Sequence, residues 1–236
     1  MPKATLLFED NFDGDELDGT KWTRCPEYVR REHNVWNDEM SFLDGNGHYV
    51  SKMVWDEENR RVVSGGIHTQ GNFEHGYGYY EASIKFPNAP GTWGAFWIMA
   101  GDTKHVDGSA ADGVEIDIIE SIGNQKGAYN HNLHWDGYGE DHKEYKPQIR
   151  NKVNIYDGEF HTFGLLRNEE GYFFYIDGVL SARAHAYSCA TCSLDGHMIL
   201  SCEAADWAGA GSAESIAALP AEMLVDYVRV YSDLPY

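Results

Sequence analysis

The chain has 236 residues, 42% hydrophobic and 14% aromatic, and a formal net charge of −20. That length suits one large all-β domain. So acidic a surface repels phosphate backbones and anionic lipid, which excludes nucleic-acid and membrane partners and disfavours sulfated polysaccharides. No apolar run approaches the ~18–20 residues needed to span a bilayer, and no period of ~20–50 residues repeats, so neither a membrane helix nor a solenoid is expected.

In chain order, strand-like stretches fall at residues 5–8, 48–54, 61–69, 77–86, 95–100, 114–120, 129–135, 160–167, 171–176, 198–202 and 223–231. Turn signals separate them, such as Asp44-Gly45-Asn46-Gly47 and Asp177-Gly178. Alternation is clean in several. After Tyr79, for example, Tyr80, Ala82, Ile84 and Phe86 face inward while Glu81, Ser83 and Lys85 do not. The only helix expected is a short one at 212–218. Many short strands with almost no helical period predict an antiparallel two-sheet sandwich, one domain over residues 1–236 without linkers.

Fifteen tyrosines and seven tryptophans serve either a core or a groove for sugar rings, whose C–H faces pack on flat aromatics. Of the cysteines, Cys189 and Cys192 have redox or half-zinc spacing, but no second pair or βαβ context accompanies them, so zinc and redox roles are set aside. Four free thiols and a disulfide among Cys189, Cys192 and Cys202 both stay open. The N-terminal Met-Pro-Lys-Ala-Thr lacks the apolar region of a signal peptide. That suits either an intracellular protein or a mature form with a new start.

The segment Val114-Glu115-Ile116-Asp117-Ile118-Ile119-Glu120 carries the chemistry. Glu115 and Asp117 share one strand face, opposite Ile116 and Ile118. Strict alternation would turn Glu120 into the core, where an unpaired carboxylate is costly. One extra residue restores it to the acidic face, so a β-bulge is expected near Ile118 or Ile119. Calcium would prefer loops rich in Asp, Asn and Gly to a strand flanked by aliphatic residues. A retaining glycosidase needs this inventory: an ionised nucleophile and a protonated acid/base ~5–5.5 Å apart. Crowded like charges would keep one acid protonated.

Here the chain resembles glycoside hydrolase family 16, the laminarinase and β-glucanase family, over nearly its full length. Glu115-Ile116-Asp117-Ile118-Ile119-Glu120 matches the bulged Glu-x-Asp-x-x-Glu form. Phe8-Glu9-Asp10-Asn11-Phe12-Asp13-Gly14, Gly91-Thr92-Trp93-Gly94-Ala95-Phe96-Trp97, Tyr175-Ile176-Asp177-Gly178 and Val225-Asp226-Tyr227-Val228 frame it in the family's order. The resemblance implies a jelly-roll sandwich with an open cleft on its concave sheet, cleaving inside β-linked polysaccharides. Glu115 would be nucleophile, Asp117 the assisting residue and Glu120 the acid/base.

By the same resemblance, His134 lies near the acid/base, Trp93 and Trp97 stack on sugar, and Asn37 and Glu39 resemble a stretch on the non-reducing-end side. A structural calcium would take the carbonyls of Asn11 and Gly47 and the carboxylate of Asp226, with no cofactor needed for catalysis. A secreted monomer is implied. Two segments depart from the common pattern: Cys202-Glu203-Ala204-Ala205-Asp206-Trp207, where Trp207 still offers a sugar platform, and His134-Trp135-Asp136-Gly137-Tyr138-Gly139-Glu140-Asp141-His142. The leading expectation is a β-1,3-glucanase or mixed-linkage glucanase. The alternatives are an endo-β-galactosidase or galactan hydrolase, a lectin without an acid row, and a calcium-dependent adhesion module.

Overall fold

The computed structural model describes residues 4–31, 34–123 and 128–236; Met1, Pro2 and Lys3, read above for a leader, lie outside them. Among the described residues, period-two alternation broken by turns gives eighteen strands: β1 (Leu6–Asp10), β2 (Thr23–Arg24), β3 (Tyr28–Arg31), β4 (Asn34–Trp36), β5 (Ser41–Leu43), β6 (Tyr49–Asp56), β7 (Arg61–Ser64), β8 (Gly66–His68) and β9 (Gly78–Lys85) come first. The rest are β10 (Thr92–Gly101), β11 (Gly113–Ser121), β12 (Tyr129–Trp135), β13 (Lys143–Tyr145), β14 (His161–Asn168), β15 (Gly171–Ile176), β16 (Val179–His185), β17 (Gly196–Ala204) and β18 (Ala221–Tyr231). The expected run 61–69 is two strands, divided at Gly65, where a Cβ would lie 2.8 Å from the Met40 backbone. The short helix forms at Ala213–Ala217, with the Ser212 hydroxyl accepting the Ser215 N–H at 3.1 Å.

The strands make two sheets. One has eleven strands, with β16-β15-β14-β9-β18-β6-β7-β4-β3 as its main path, β1 pairing on β18 and β5 on β6. The other has seven, ordered β13-β12-β11-β10-β17-β8-β2. Among the described residues pairing is antiparallel except between β4 and β7, so the antiparallel sandwich expected from sequence carries one parallel contact there.

Between the sheets, aliphatic and aromatic side chains form one continuous core. Tyr80, Ala82, Ile84 and Phe86 are buried as their alternation predicts, but Tyr79 and Ser83 on the other face are buried too. Tyr79 is covered from the C-terminus, its hydroxyl contacting Tyr236 and Glu81. Close approach of the sheets explains Gly94 on β10, since a Cβ there would sit 2.9 Å from the ring of Phe86, the residue after β9. On β11, Ile116, Ile118 and Ile119 are fully buried, each contributing about 2 kcal/mol by its removal from water. That burial fixes which way the acids of the same strand point.

Candidate active site

Bulge geometry decides where Glu120 faces. Along β10 the partners run Ala95↔Glu120, Phe96↔Ile119 and then Trp97↔Asp117, so Ile118 is the extra residue. Against β12 the register moves from Asp117↔Asn132 to Glu120↔Asn130, where two residues of β11 oppose one of β12. Ile118 and Ile119 both enter the core, and Glu115, Asp117 and Glu120 line a single cleft of about 690 Å³ on the outer face of the seven-stranded sheet. An extra residue also leaves a backbone group outside the ladder. Here the Ile118 carbonyl accepts from His131 Nδ1 at 2.6 Å, which makes that nitrogen the protonated one. Nε2 of the same ring then accepts from the Ser181 hydroxyl of β16, 3.0 Å away in the opposite sheet.

The three acids differ in setting. Glu115 is half-buried and accepts a short hydrogen bond from the Tyr138 hydroxyl. Asp117 is 4% exposed, and burial first, then the negative charge of Glu115, holds its pKa well above the ordinary range. Its Oδ2 lies 3.4 Å from His134 Nε2 yet makes no hydrogen bond to any described residue. Glu120, 7% exposed, accepts from the Trp93 indole at 3.0 Å, and its pKa too is raised well above 4.5 by burial and then by Asp117. Burial is therefore the larger cause of the raised values, ahead of the like-charge crowding expected from sequence. Single donor atoms of Glu115, Asp117 and His134 lie within 4.8 Å of one another, a spacing that would also suit a cation, as would the exposed trio His105, Asp107 and Asp112.

Other expected site residues divide. His134 pairs in register with Glu115 and approaches Asp117. Trp97 lines the cleft with its indole donating to Ser201 Oγ at 3.1 Å. Trp207 stands edge-on to Trp93 at 4.9 Å and stays half exposed, an open platform at the cleft wall. Asn37 and Glu39 are not brought to the cleft lining: the Asn37 side chain caps a turn by accepting the Glu39 N–H at 2.8 Å. Sequence reading missed Asn130 and Asn132, which alternation along Tyr129–Trp135 would have placed on the face of His134. It also missed Arg30, whose Nε meets Glu203 at 2.9 Å while the guanidinium lies 4.2 Å over the Trp36 ring. Tyr138 and His142 likewise line the cleft, from a loop that sequence flagged without assigning them a role. The four cysteines are free and buried, and burial lifts the Cys25, Cys189 and Cys202 thiols to about 12.

A β-sandwich with a bulged row of three carboxylates in an aromatic-walled cleft defines a glycoside hydrolase. The family model described as "Beta-porphyranase A-D, GH16 domain" matches residues 6–233, and the chain belongs to glycoside hydrolase family 16. It is 30% identical to the endo-1,3-1,4-beta-glycanase ExsH of Rhizobium meliloti (strain 1021) over 72% of this chain and 33% of that protein. It is 28% identical to the keratan-sulfate endo-1,4-beta-galactosidase of Sphingobacterium multivorum over 96% of this chain and 54% of that one. The chain thus spans about a third to a half of the length of these relatives. Among solved structures, the laminarinase catalytic domain from Thermotoga maritima MSB8 superposes with a TM-score of 0.77 at 24% identity, covering 98% of this chain and 99% of that one. That likeness is one of fold.

Proposed function

We propose that the chain is a retaining, endo-acting glycoside hydrolase that cleaves internal β-linkages of a glucan, β-1,3-linked or mixed-linkage, outside the cell. The observation that carries this reading is the bulge at Ile118, which puts Glu115, Asp117 and Glu120 on one wall of a cleft open to a polymer. Glu115 attacks the anomeric carbon while the protonated Glu120 gives its proton to the departing glycosidic oxygen. Water then attacks the glycosyl–Glu115 ester, passing its proton back to Glu120. Burial of Glu120 supports its role as acid, because it keeps the carboxyl protonated toward neutral pH. Asp117 assists from between them, and Trp93, Trp97 and Trp207 offer faces and edges for sugar rings.

A galactan is the second reading. It is favoured by the porphyranase description of the matching family model, by the keratan-sulfate galactosidase among the relatives, and by Arg30 and Lys146 in the lining of an otherwise acidic cleft. A panel of laminarin, lichenan, agarose, carrageenan and keratan sulfate, digested by wild type and Glu115→Gln, separates the two. The reading expects reducing ends from wild type only, with Glu115→Gln slower by on the order of 10⁴-fold. An unchanged rate in that variant would sink the mechanism. Proton NMR of the first product must show the retained anomer.

We also propose a structural calcium held by the Asn11 and Gly47 carbonyls and the Asp226 carboxylate, a hard-oxygen set that suits this ion. In support, pairing of β6 with β18 ends at Tyr49↔Val225, one residue before Asp226 and two after Gly47, and the β9–β18 register shifts at Asp226. The Asn11 side chain accepts from Arg229 Nη2 at 3.1 Å, which leaves its carbonyl as the available ligand. Such an ion would brace the strand ends. A chelator is expected to lower Tm by a few degrees without changing kcat in the cold; an unchanged Tm would exclude the site.

A further inference from the structure

The loop between β12 and β13 puts a phenol on the acid row. Asp136 begins it, its backbone at φ +58° and its side chain buried, with Oδ1 accepting the N–H groups of Asp107 and Gly108 at 3.3 and 3.2 Å. Gly137, at φ +71°, follows and donates its N–H to the Thr103 carbonyl at 2.7 Å. The loop base is thereby fixed to a second loop, residues 102–112. Beyond it, Tyr138 reaches over the cleft floor. Its residue as a whole is 58% exposed, but its hydroxyl is turned down onto Glu115 Oε2, 3.8 Å from Met99 Sδ. Among the described residues no other group hydrogen-bonds the Glu115 carboxylate.

From the same loop, His142 stacks on His134 with ring centroids 5.0 Å apart and planes 15° apart, and its Nε2 lies 2.9 Å from His134 Nδ1. The Tyr138 ring rests on His142 at 5.9 Å. Contacts therefore close a circuit from Asp117 through His134, His142 and Tyr138 to Glu115. Two strands and one loop set the orientation of the pair of acids.

We propose that Tyr138 is a positioning residue for the reaction: its O–H donates to Oε2 of Glu115, stabilises the ionised carboxylate and leaves Oε1 directed at the anomeric carbon. This rests on the reading of Glu115 as nucleophile. Other charges facing Glu115 include Asp117 and Glu120 on its own strand and His134 on β12. His142 faces it from the loop, Glu144 and Lys146 from the β13 edge, and Arg30 and Glu203 from β3 and β17. Facing it from β10 are Trp97 and Met99, which do not titrate. Of the hydrogen-bond donors able to reach the carboxylate, the phenol is the one in contact.

The test is the split between kcat and KM for Tyr138→Phe beside wild type and Glu115→Gln, with Tm measured on each. Loss of the hydroxyl keeps the ring but frees the Glu115 carboxylate to turn, so kcat of Tyr138→Phe is expected to fall roughly ten- to a hundredfold with KM and Tm little changed. Incorporating a fluorinated tyrosine at position 138, which keeps the donor and nearly the same shape, should hold kcat within a few-fold of wild type. An unchanged kcat in Tyr138→Phe, or a loss confined to KM, overturns the proposal, since a ring that only packs or binds sugar would act through KM. Full activity in Glu115→Gln would overturn the nucleophile reading itself, a separate result.

Discussion

Strands β11 and β12 carry ionisable groups on both faces, and the two faces treat them differently. On the core side, His131 is 1% exposed, stacked on Phe174 at 4.8 Å, with both ring nitrogens hydrogen-bonded in the neutral form. On the cleft side, Asp117 is nearly as buried, yet among the described residues its Oδ2 has no hydrogen-bond partner. A buried polar group in a core is satisfied because leaving it unmade costs about 1–3 kcal/mol. Among the three cleft acids, Glu115 and Glu120 each accept one hydrogen bond, and Asp117 Oδ2 accepts none. Burial alone therefore does not separate the two faces; the core histidine is satisfied at both ring nitrogens, and the cleft acids keep acceptor capacity unused.

The largest effect expected from this contrast comes from His131→Leu. Leucine keeps the apolar volume but strips the bulge carbonyl of Ile118 and the Ser181 hydroxyl of their partners. Two buried groups left unmade cost about 2–5 kcal/mol together. Because the Ile118 bulge turns Glu120 outward, kcat should fall as well, although His131 is on the other face from the acids. Urea unfolding and kcat on the responding glycan measure the two effects. If stability falls and kcat does not, the brace on the bulge is not what aims Glu120.

His131 also predicts an acid-side loss of stability. Burial pushes its imidazole from 6.5 down to about 4. Between those values the unfolded chain binds a proton that the folded chain refuses, so stability is lost as pH falls from 6.5 toward 4. The full difference is about 3 kcal/mol. Unfolding curves of wild type and His131→Leu across that window should differ in slope, and parallel curves would assign the loss to other groups.

How much of this was legible before the structure follows from the same contrast. Periodicity carries faces: Ile116 and Ile118 against Glu115 and Asp117 demanded a bulge, and the bulge is there. The long strands came through, since each buries a full apolar row. Strands β2 to β5, β13 and β16 did not: most are short, and Lys143-Glu144-Tyr145 has no apolar side to count. Tyr138 lay beyond sequence for another reason. Its position is set by hydrogen bonds between residues 103, 107 and 108 and the foot of its loop, and no local pattern records a contact made across some thirty residues. Asn37 and Glu39 show the converse, a motif likeness that the turn at Asp38–Met40 uses for its own cap.

The smallest effect has the opposite sign. Glu120 holds its proton more tightly in the folded protein than in the unfolded chain, because burial and then Asp117 disfavour its charge. Above 4.5 the unfolded chain gives up that proton while the folded one keeps it, so this group costs stability as pH rises from 4.5 to the raised folded value. Glu120→Gln fills the same space with no charge to desolvate, and its amide can still meet the Trp93 indole. Activity should drop by ~10²–10⁴-fold with the loss of the proposed general acid. Tm should nevertheless rise by about 2–4 °C near neutral pH, a gain that vanishes at pH 4. His131 and Glu120 would then tilt the stability curve in opposite directions, one from the core face and one from the cleft face. A Tm for Glu120→Gln that is lower than wild type at neutral pH would mean the ionised carboxylate is better solvated than its burial implies.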